Sequence, residues 1–338
     1  MTRTTRAMTR PPTTYYGQPA LKPAPWVWKV PVYTFAAPVA GAAQLIGTIA
    51  DLSDPDGGRS IVRHARYAAL AGAAFGGPLL IGDLHTPMRW YNMLRIFRGT
   101  SPMSIGSWLL TGFGAFSSVV ALAQYTIDRN AASARRTATG RNAGVRLSSR
   151  IAAVAQLPAA AAGAGMSLYS ASLFTATSSP LWAAAPRSLA VKFGSSAVAA
   201  AAAGLSLLEH ASGRPSPAAS ALDRIAGAAT AMNLGATVAA GRAWRKAEVD
   251  GPLTEASAIG ASYRIGSILL GQVLPLVCHA LNASRSRPSR GLSMLGSLGI
   301  VCGSFLMRLA VIEAGKKSSQ RPVDSLRFTS GRPRKRDG

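Results

Sequence analysis

The chain is 338 residues long, 48% hydrophobic and only 15% charged, with a formal net charge of +24. Soluble proteins carry about a quarter charged residues. Here the shortfall falls in blocks of roughly 20 residues, the length a helix needs to cross a bilayer. The positive charge lies in the tails and connecting loops, so no segment remains to present the basic face of a nucleic-acid-binding protein.

Met1 to Tyr16 is polar and has no apolar core of a cleavable signal peptide, so the first span is expected to act as its own insertion signal. Eight spans are predicted, at about 30–50, 65–83, 103–126, 150–177, 186–208, 219–241, 260–282 and 292–314. Turn residues and charge gather between them, as in Asp51-Leu-Ser-Asp-Pro-Asp-Gly-Gly58 and His210 to Pro217. Pro102 and Pro186 fall where a helix tolerates proline best, in its first turn. The expected fold class is an all-α integral membrane bundle of eight transmembrane helices (28–315), between an N-terminal tail (1–27) and a basic C-terminal tail (316–338). Alanine and glycine dominate the spans, and Gly72/Gly76 and Gly299/Gly303 have the spacing that lets helices approach closely.

Between the second and third spans lies the polar stretch from Gly82 to Trp108. Thr86 and Pro87 predict the cap and start of a short helix through Phe97. Its Trp90, Met93, Leu94 and Phe97 form one apolar stripe while Arg95 and Arg98 face elsewhere, so it is expected to lie along the interface. An even number of spans puts both termini on one face, the terminal face, shared by the connections near 83–102, 178–186 and 242–259. The lysine and arginine excess on that face sits in the distal tails, where the positive-inside rule loses force, so orientation is left open.

Cys278 and Cys302 both lie in apolar runs and read as small buried residues, too few for an iron–sulfur cluster, which takes about four thiolates. Of the four histidines, His64, His85 and His210 stand at span ends and only His279 lies inside one, so no pair of axial haem ligands is available. No Ser–His–Asp set, phosphate loop or metal-spaced cluster appears. What remains is binding of an organic redox carrier.

Several stretches carry a family resemblance. They are Tyr15-Tyr-Gly-Gln-Pro-Ala-Leu-Lys-Pro-Ala-Pro-Trp-Val-Trp-Lys-Val-Pro-Val-Tyr33; Gly82-Asp-Leu with Pro87, Arg89 and Asn92-Met-Leu-Arg95; Thr100-Ser-Pro-Met-Ser104; Pro180-Leu-Trp182; and Arg308 with Glu313-Ala-Gly315. Together they resemble the NrfD/polysulfide-reductase membrane-subunit (PsrC-like) family, from about residue 15 to 328. The resemblance implies an eight-helix subunit without haem in the bacterial inner membrane. It would dock a ferredoxin-like iron–sulfur subunit on the terminal face, with a molybdenum or tungsten catalytic subunit beyond. Near that surface it would exchange electrons with menaquinone or ubiquinone in a respiratory chain.

Quinone chemistry moves two electrons and two protons, so the site needs donors to two carbonyls, a proton acceptor and an apolar slot. Tyr169, about two turns from the terminal-face end of the fourth span, matches a quinone-contacting tyrosine of the polysulfide-reductase member, against the alternative of a core tyrosine. Trp28 and Tyr33 start the first span where the family places quinone contacts, against ordinary interfacial anchoring. Asp83, the carboxylate of the polar stretch, would accept or relay a proton, or cap the short helix and pair with Arg89 or Arg95. Arg89 and Asn92 would hold the headgroup or order the segment that meets the partner. Lys192 and Arg308, each about two turns inside a span, would snorkel to the terminal face or stabilise quinone anion or Asp83. Many relatives read Gly-Arg-Pro-Glu-Arg where this chain has His85-Thr-Pro-Met-Arg89, and none of its histidines lies near Tyr33. A structural anchor with a decayed quinone site is therefore one alternative. A transporter or proton channel is another, against which the opposite half of the bundle reads as nearly bare of polar residues, with Glu209 and His210 simply ending a span.

Overall fold

The computed structural model describes residues 21–84, 86–137, 143–211 and 217–330. Eight long helices dominate them: α1 (Lys29–Ser53), α2 (Arg59–Asp83), α3 (Pro102–Thr137), α4 (Ala143–Thr175), α5 (Pro186–Ala211), α6 (Pro217–Lys246), α7 (Ala258–Ala283) and α8 (Arg290–Gln320). No strand occurs among the described residues. A short helix, Pro322–Ser330, follows α8. Pro102, Pro186 and Pro217 each open a helix, where the missing N–H costs nothing.

Six of the eight helices are long and apolar enough to cross a membrane. The exceptions are α2, whose first two turns carry Arg59, Arg63, His64 and Arg66, and α6, which holds Asp223, Arg224 and Asn233 and ends in Arg245 and Lys246. α2 qualifies only together with the segment Pro87–Leu94, bent from it by 109°. That segment is a 3₁₀ helix and not the α-helix expected through Phe97. Thr86 makes no side-chain cap, and Arg89 leaves the helical region at φ −106°, ψ 18°.

α1, α4, α5 and α8 meet at the centre of the bundle, flanked by α2 and α3 on one side and α6 and α7 on the other. Small residues make this approach possible. A Cβ on Gly41 of α1 or Gly163 of α4 would collide with the other's backbone, and the same holds for Gly271 of α7 and Gly303 of α8. The Gly41–Gly163 contact joins residues that no sequence spacing pairs. Cys278 is buried, but Cys302 is exposed on the perimeter, contrary to the sequence expectation.

Proline inside helices is tolerated because other groups take over the carbonyls it strands. Pro38 in α1 has no N–H for the Thr34 carbonyl four residues back, and the Arg308 Nε of α8 donates to that carbonyl at 2.7 Å. In α7, residues Ser262–Val273 form a π-helix just before Pro275. π-Helical turns are rare and concentrate at functional sites.

Candidate functional site

The terminal end of the bundle is knitted by side chains that begin and end the helices. Lys29, the first residue of α1, donates from Nζ to the Gly82 carbonyl at the end of α2 (2.6 Å). Its charge also acts on the neighbouring Asp83. One turn further along α1, on the same face, Tyr33 is buried at 3% exposure and lies near Tyr169 of α4. The Tyr33 Oη has no hydrogen-bond partner among the described residues. Tyr169 lies against Gly106 at the start of α3, where any side chain would occupy the space of its ring. Asp83, Lys29, Tyr33 and Tyr169 thus form a linked series at one end of α1, drawn from three helices.

Beside this series, α2, the 3₁₀ segment and α3 enclose a cavity of about 350 Å³. Ala73, Gly77, Leu80, Ile81 and Leu84 line it from α2 and its end, Trp90, Met93 and Leu94 from the 3₁₀ segment, and Ser107, Leu110, Thr111, Gly114 and Ala115 from α3. The volume falls at the small end of typical ligand pockets, about 300–1,000 Å³. Its hydroxyls are already engaged: Ser107 donates to the Met103 carbonyl and Thr111 to that of Ser107, both at 2.8 Å. Leu80 and Leu110 line the cavity and also pack on the cluster that contains Tyr33. The tyrosine pair therefore stands one side-chain layer behind the slot, and Asp83 stands at its rim, next to Leu84.

The other expected site residues are distributed less compactly. Arg89 and Asn92 are exposed on the 3₁₀ segment, facing outward beside the lining Trp90 and Met93. No ion pair links Asp83 to Arg89 or Arg95 among the described residues; Lys29 is its cationic neighbour. Trp28 is 65% exposed, in keeping with an interfacial anchor, whereas Tyr33 is a core residue. Neighbouring Trp26, which sequence reasoning passed over, stacks on Trp182 at 5.3 Å and meets Phe174 edge-on. His85 lies outside the described residues.

Lys192 and Arg308 do not snorkel, because both find polar partners inside the bundle and are fully buried. Arg308 donates to the Thr34, Ser304 and Phe193 carbonyls and to the Ser196 and Ser304 hydroxyls. Its guanidinium also lies over the rings of Phe35 and Phe193, 5.6 and 5.5 Å from their centroids. Lys192 donates to the Thr237 hydroxyl, and its Nζ sits 5.2 Å from the Tyr263 ring centroid. Neither pairs with Asp83.

The opposite end is not bare, as its sequence suggested. Arg66 of α2 donates to Gln124 of α3 (2.8 Å), Gln156 of α4 (2.8 Å) and Asp51 of α1 (3.2 Å). Asp128 accepts from Gln124, Tyr67 and Arg63. Glu209 does more than end a span: at 3% exposure it accepts from Ser60 (2.6 Å) and meets His64 (2.9 Å), tying α5 to α2. Asp223 accepts from Ser206 at 2.5 Å and meets His210 at 3.4 Å. Polar side chains thus occupy both ends of the bundle, contrary to the expectation that weighed against a conducting channel.

A bundle of long apolar helices, six of them able by length and composition to cross a bilayer, is the architecture of a multi-pass membrane protein. The polysulphide reductase, NrfD family matches residues 18–318, and the chain belongs to that family. Its members are membrane subunits of quinone-linked oxidoreductase complexes. No curated protein matches the chain.

Proposed function

We propose that this chain is the quinone-reactive membrane subunit of a respiratory oxidoreductase, exchanging electrons between the menaquinone or ubiquinone pool and an iron–sulfur subunit docked at the terminal face. The observation that carries this reading is the apolar cavity set one side-chain layer from the partnerless Tyr33 hydroxyl and next to Asp83. In this reading all eight long helices cross the bilayer. The 3₁₀ segment lies along its surface, presenting Arg89, Arg95 and Arg98 with exposed Met88, Tyr91 and Phe97 to the partner. A catalytic subunit of molybdenum or tungsten type lies beyond.

The residues fit a quinone in a definite way. The slot between α2 and α3 takes the ring and tail, and Asp83 holds or accepts a proton beside Lys29; Tyr33 and Tyr169 supply hydroxyl donors once the headgroup displaces the Leu80 and Leu110 side chains that stand between. Arg89 and Asn92 order the rim. When bound, the quinone supplies a carrier of two electrons and two protons. Arg308 acts from behind, fixing α1, which holds Tyr33, while Lys192 joins α5 to α6 and α7; neither touches the ligand.

The test is quinone content and quinone-linked turnover of the purified complex. A proton-transfer group is worth about 10²–10⁴ in rate. Asp83→Asn is expected to lower turnover at least a hundredfold and Tyr169→Phe about tenfold, with the complex intact. Wild-type turnover in both variants, with no quinone co-purifying, would leave a structural anchor as the better description.

A further inference from the structure

We propose that the second half of the bundle holds a small monovalent inorganic anion beside Lys192, at a site separate from the quinone slot and independent of the quinone reading. Lys192 has no exposed surface, and no carboxylate pairs with it among the described residues. A buried ammonium without a counter-charge is among the costliest groups in a protein interior. The Tyr263 ring at 5.2 Å offsets part of that cost, and the Thr237 hydroxyl takes one of three N–H donors.

Arg308 shows the contrast. It is equally buried, but a full set of carbonyl and hydroxyl oxygens surrounds it. Its Nη2 reaches the carbonyl of Phe193, the residue after Lys192, so two positive charges share this region without a negative one.

The surroundings of Lys192 are rich in donors. The π-helix of α7 carries Tyr263, Ser267 and Gln272 at four- and five-residue steps. The Tyr263 hydroxyl, the Ser267 hydroxyl and the Gln272 Nε2 are all buried without a hydrogen-bond partner among the described residues. Gln272 is placed here by its Oε1, which accepts from Thr237 at 3.2 Å. Against these donors stands a single stranded acceptor, the Asn233 Oδ1 one turn from Thr237. An ammonium, with partnerless hydroxyls and an amide N–H on the helix whose Tyr263 ring and Gln272 side chain reach the same Thr237 and Lys192, is the donor set that suits a halide-sized anion. The π-helix supplies the register, because its wider turn brings positions 263, 267 and 272 onto one face.

The test uses the detergent-purified protein at fixed ionic strength, with gluconate replaced by chloride or bromide. Wild-type thermal stability is expected to rise with halide concentration, as for any ligand that binds only the folded state. Lys192→Met should abolish that dependence. Ser267→Ala and Tyr263→Phe, which keep the charge and remove one neutral donor, should weaken apparent halide affinity about fivefold each. These two variants keep the test decisive if Lys192→Met does not fold. Bromide soaked into crystals should give an anomalous peak within hydrogen-bond reach of the Lys192 Nζ. A wild-type protein indifferent to halide, or a site that holds only water, overturns the proposal.

Discussion

Proline at position 38 and arginine at position 308 explain one another. Without an N–H at Pro38, the Thr34 carbonyl has no partner in its own helix, and Arg308 reaches it from a helix 274 residues away. An unsatisfied buried acceptor costs about 1–3 kcal/mol. Arg308→Met is therefore expected to lower stability by about 3 kcal/mol or more, since several accepted bonds go at once. Pro38→Ala alone should change little, but it should recover part of the Arg308→Met loss by restoring the helical N–H. A double-mutant cycle read by thermal unfolding measures this coupling, and strict additivity would refute the pairing. At this scale the sequence was only half legible. A lysine and an arginine two turns inside spans look like groups that snorkel, and nothing in spacing announces that hydroxyls and a freed carbonyl await them.

Among the elements, the helices were the easiest to read and the irregular pieces the hardest. The apolar stripe of Trp90, Met93 and Leu94 was visible, and those residues do line one wall of a cavity, but the segment is 3₁₀ and breaks at Arg89. Thr86 does not cap it, so the signal that set its start was misleading. The π-helix left no mark in hydrophobic periodicity, because it keeps the same apolar faces while changing their register. At the end of α8, Glu255 is clamped by Lys317 at 2.9 Å and by Arg321, which leads into the short helix Pro322–Ser330. Hydrogen bonds from Lys317 and then Arg321 hold its carboxyl below the usual glutamate range. Its contribution is complete above that range and is lost as pH falls through the lowered value. Glu255→Gln should thus loosen the final helix at neutral pH by less than about 1 kcal/mol. Limited proteolysis at pH 7 should show faster cleavage after α8 in the variant, and the difference should vanish in strong acid. A difference that persists there would assign the effect to packing.

For the whole molecule, composition was enough to give an all-helical membrane bundle, since low charge in 20-residue blocks admits little else. The polar layer at the opposite end was missed for a physical reason. Asp51, Arg66, Gln124 and Gln156 each fall within about two turns of the end of a different predicted span, where a polar residue usually meets water or headgroups. Only assembly of four helices brings the other three within 3.2 Å of Arg66. Because Arg66 is buried, removing its carboxylate partner should cost far more than a surface pair does. Asp51→Ala is expected to destabilise the bundle by about 1–3 kcal/mol, since Arg66 keeps Gln124, Gln156 and the attraction of Asp128, measured as a drop in detergent-solubilised unfolding temperature. The double variant Asp51→Ala/Arg66→Leu should be less damaged than the single one, and equal damage would mean that the charge pair is not what matters.

The contacts between the two ends of the chain also bear on how it is made. Of these eight helices α1 leaves the ribosome before the others, yet its Thr34 carbonyl waits for Arg308, and the Trp26 carbonyl just before it accepts from Lys316, 290 residues later. The bonding of α1 is therefore completed only when α8 arrives, so assembly of these eight helices includes a clasp between the earliest and the latest of them. A fragment that stops before α8 lacks the donor that satisfies the Thr34 carbonyl.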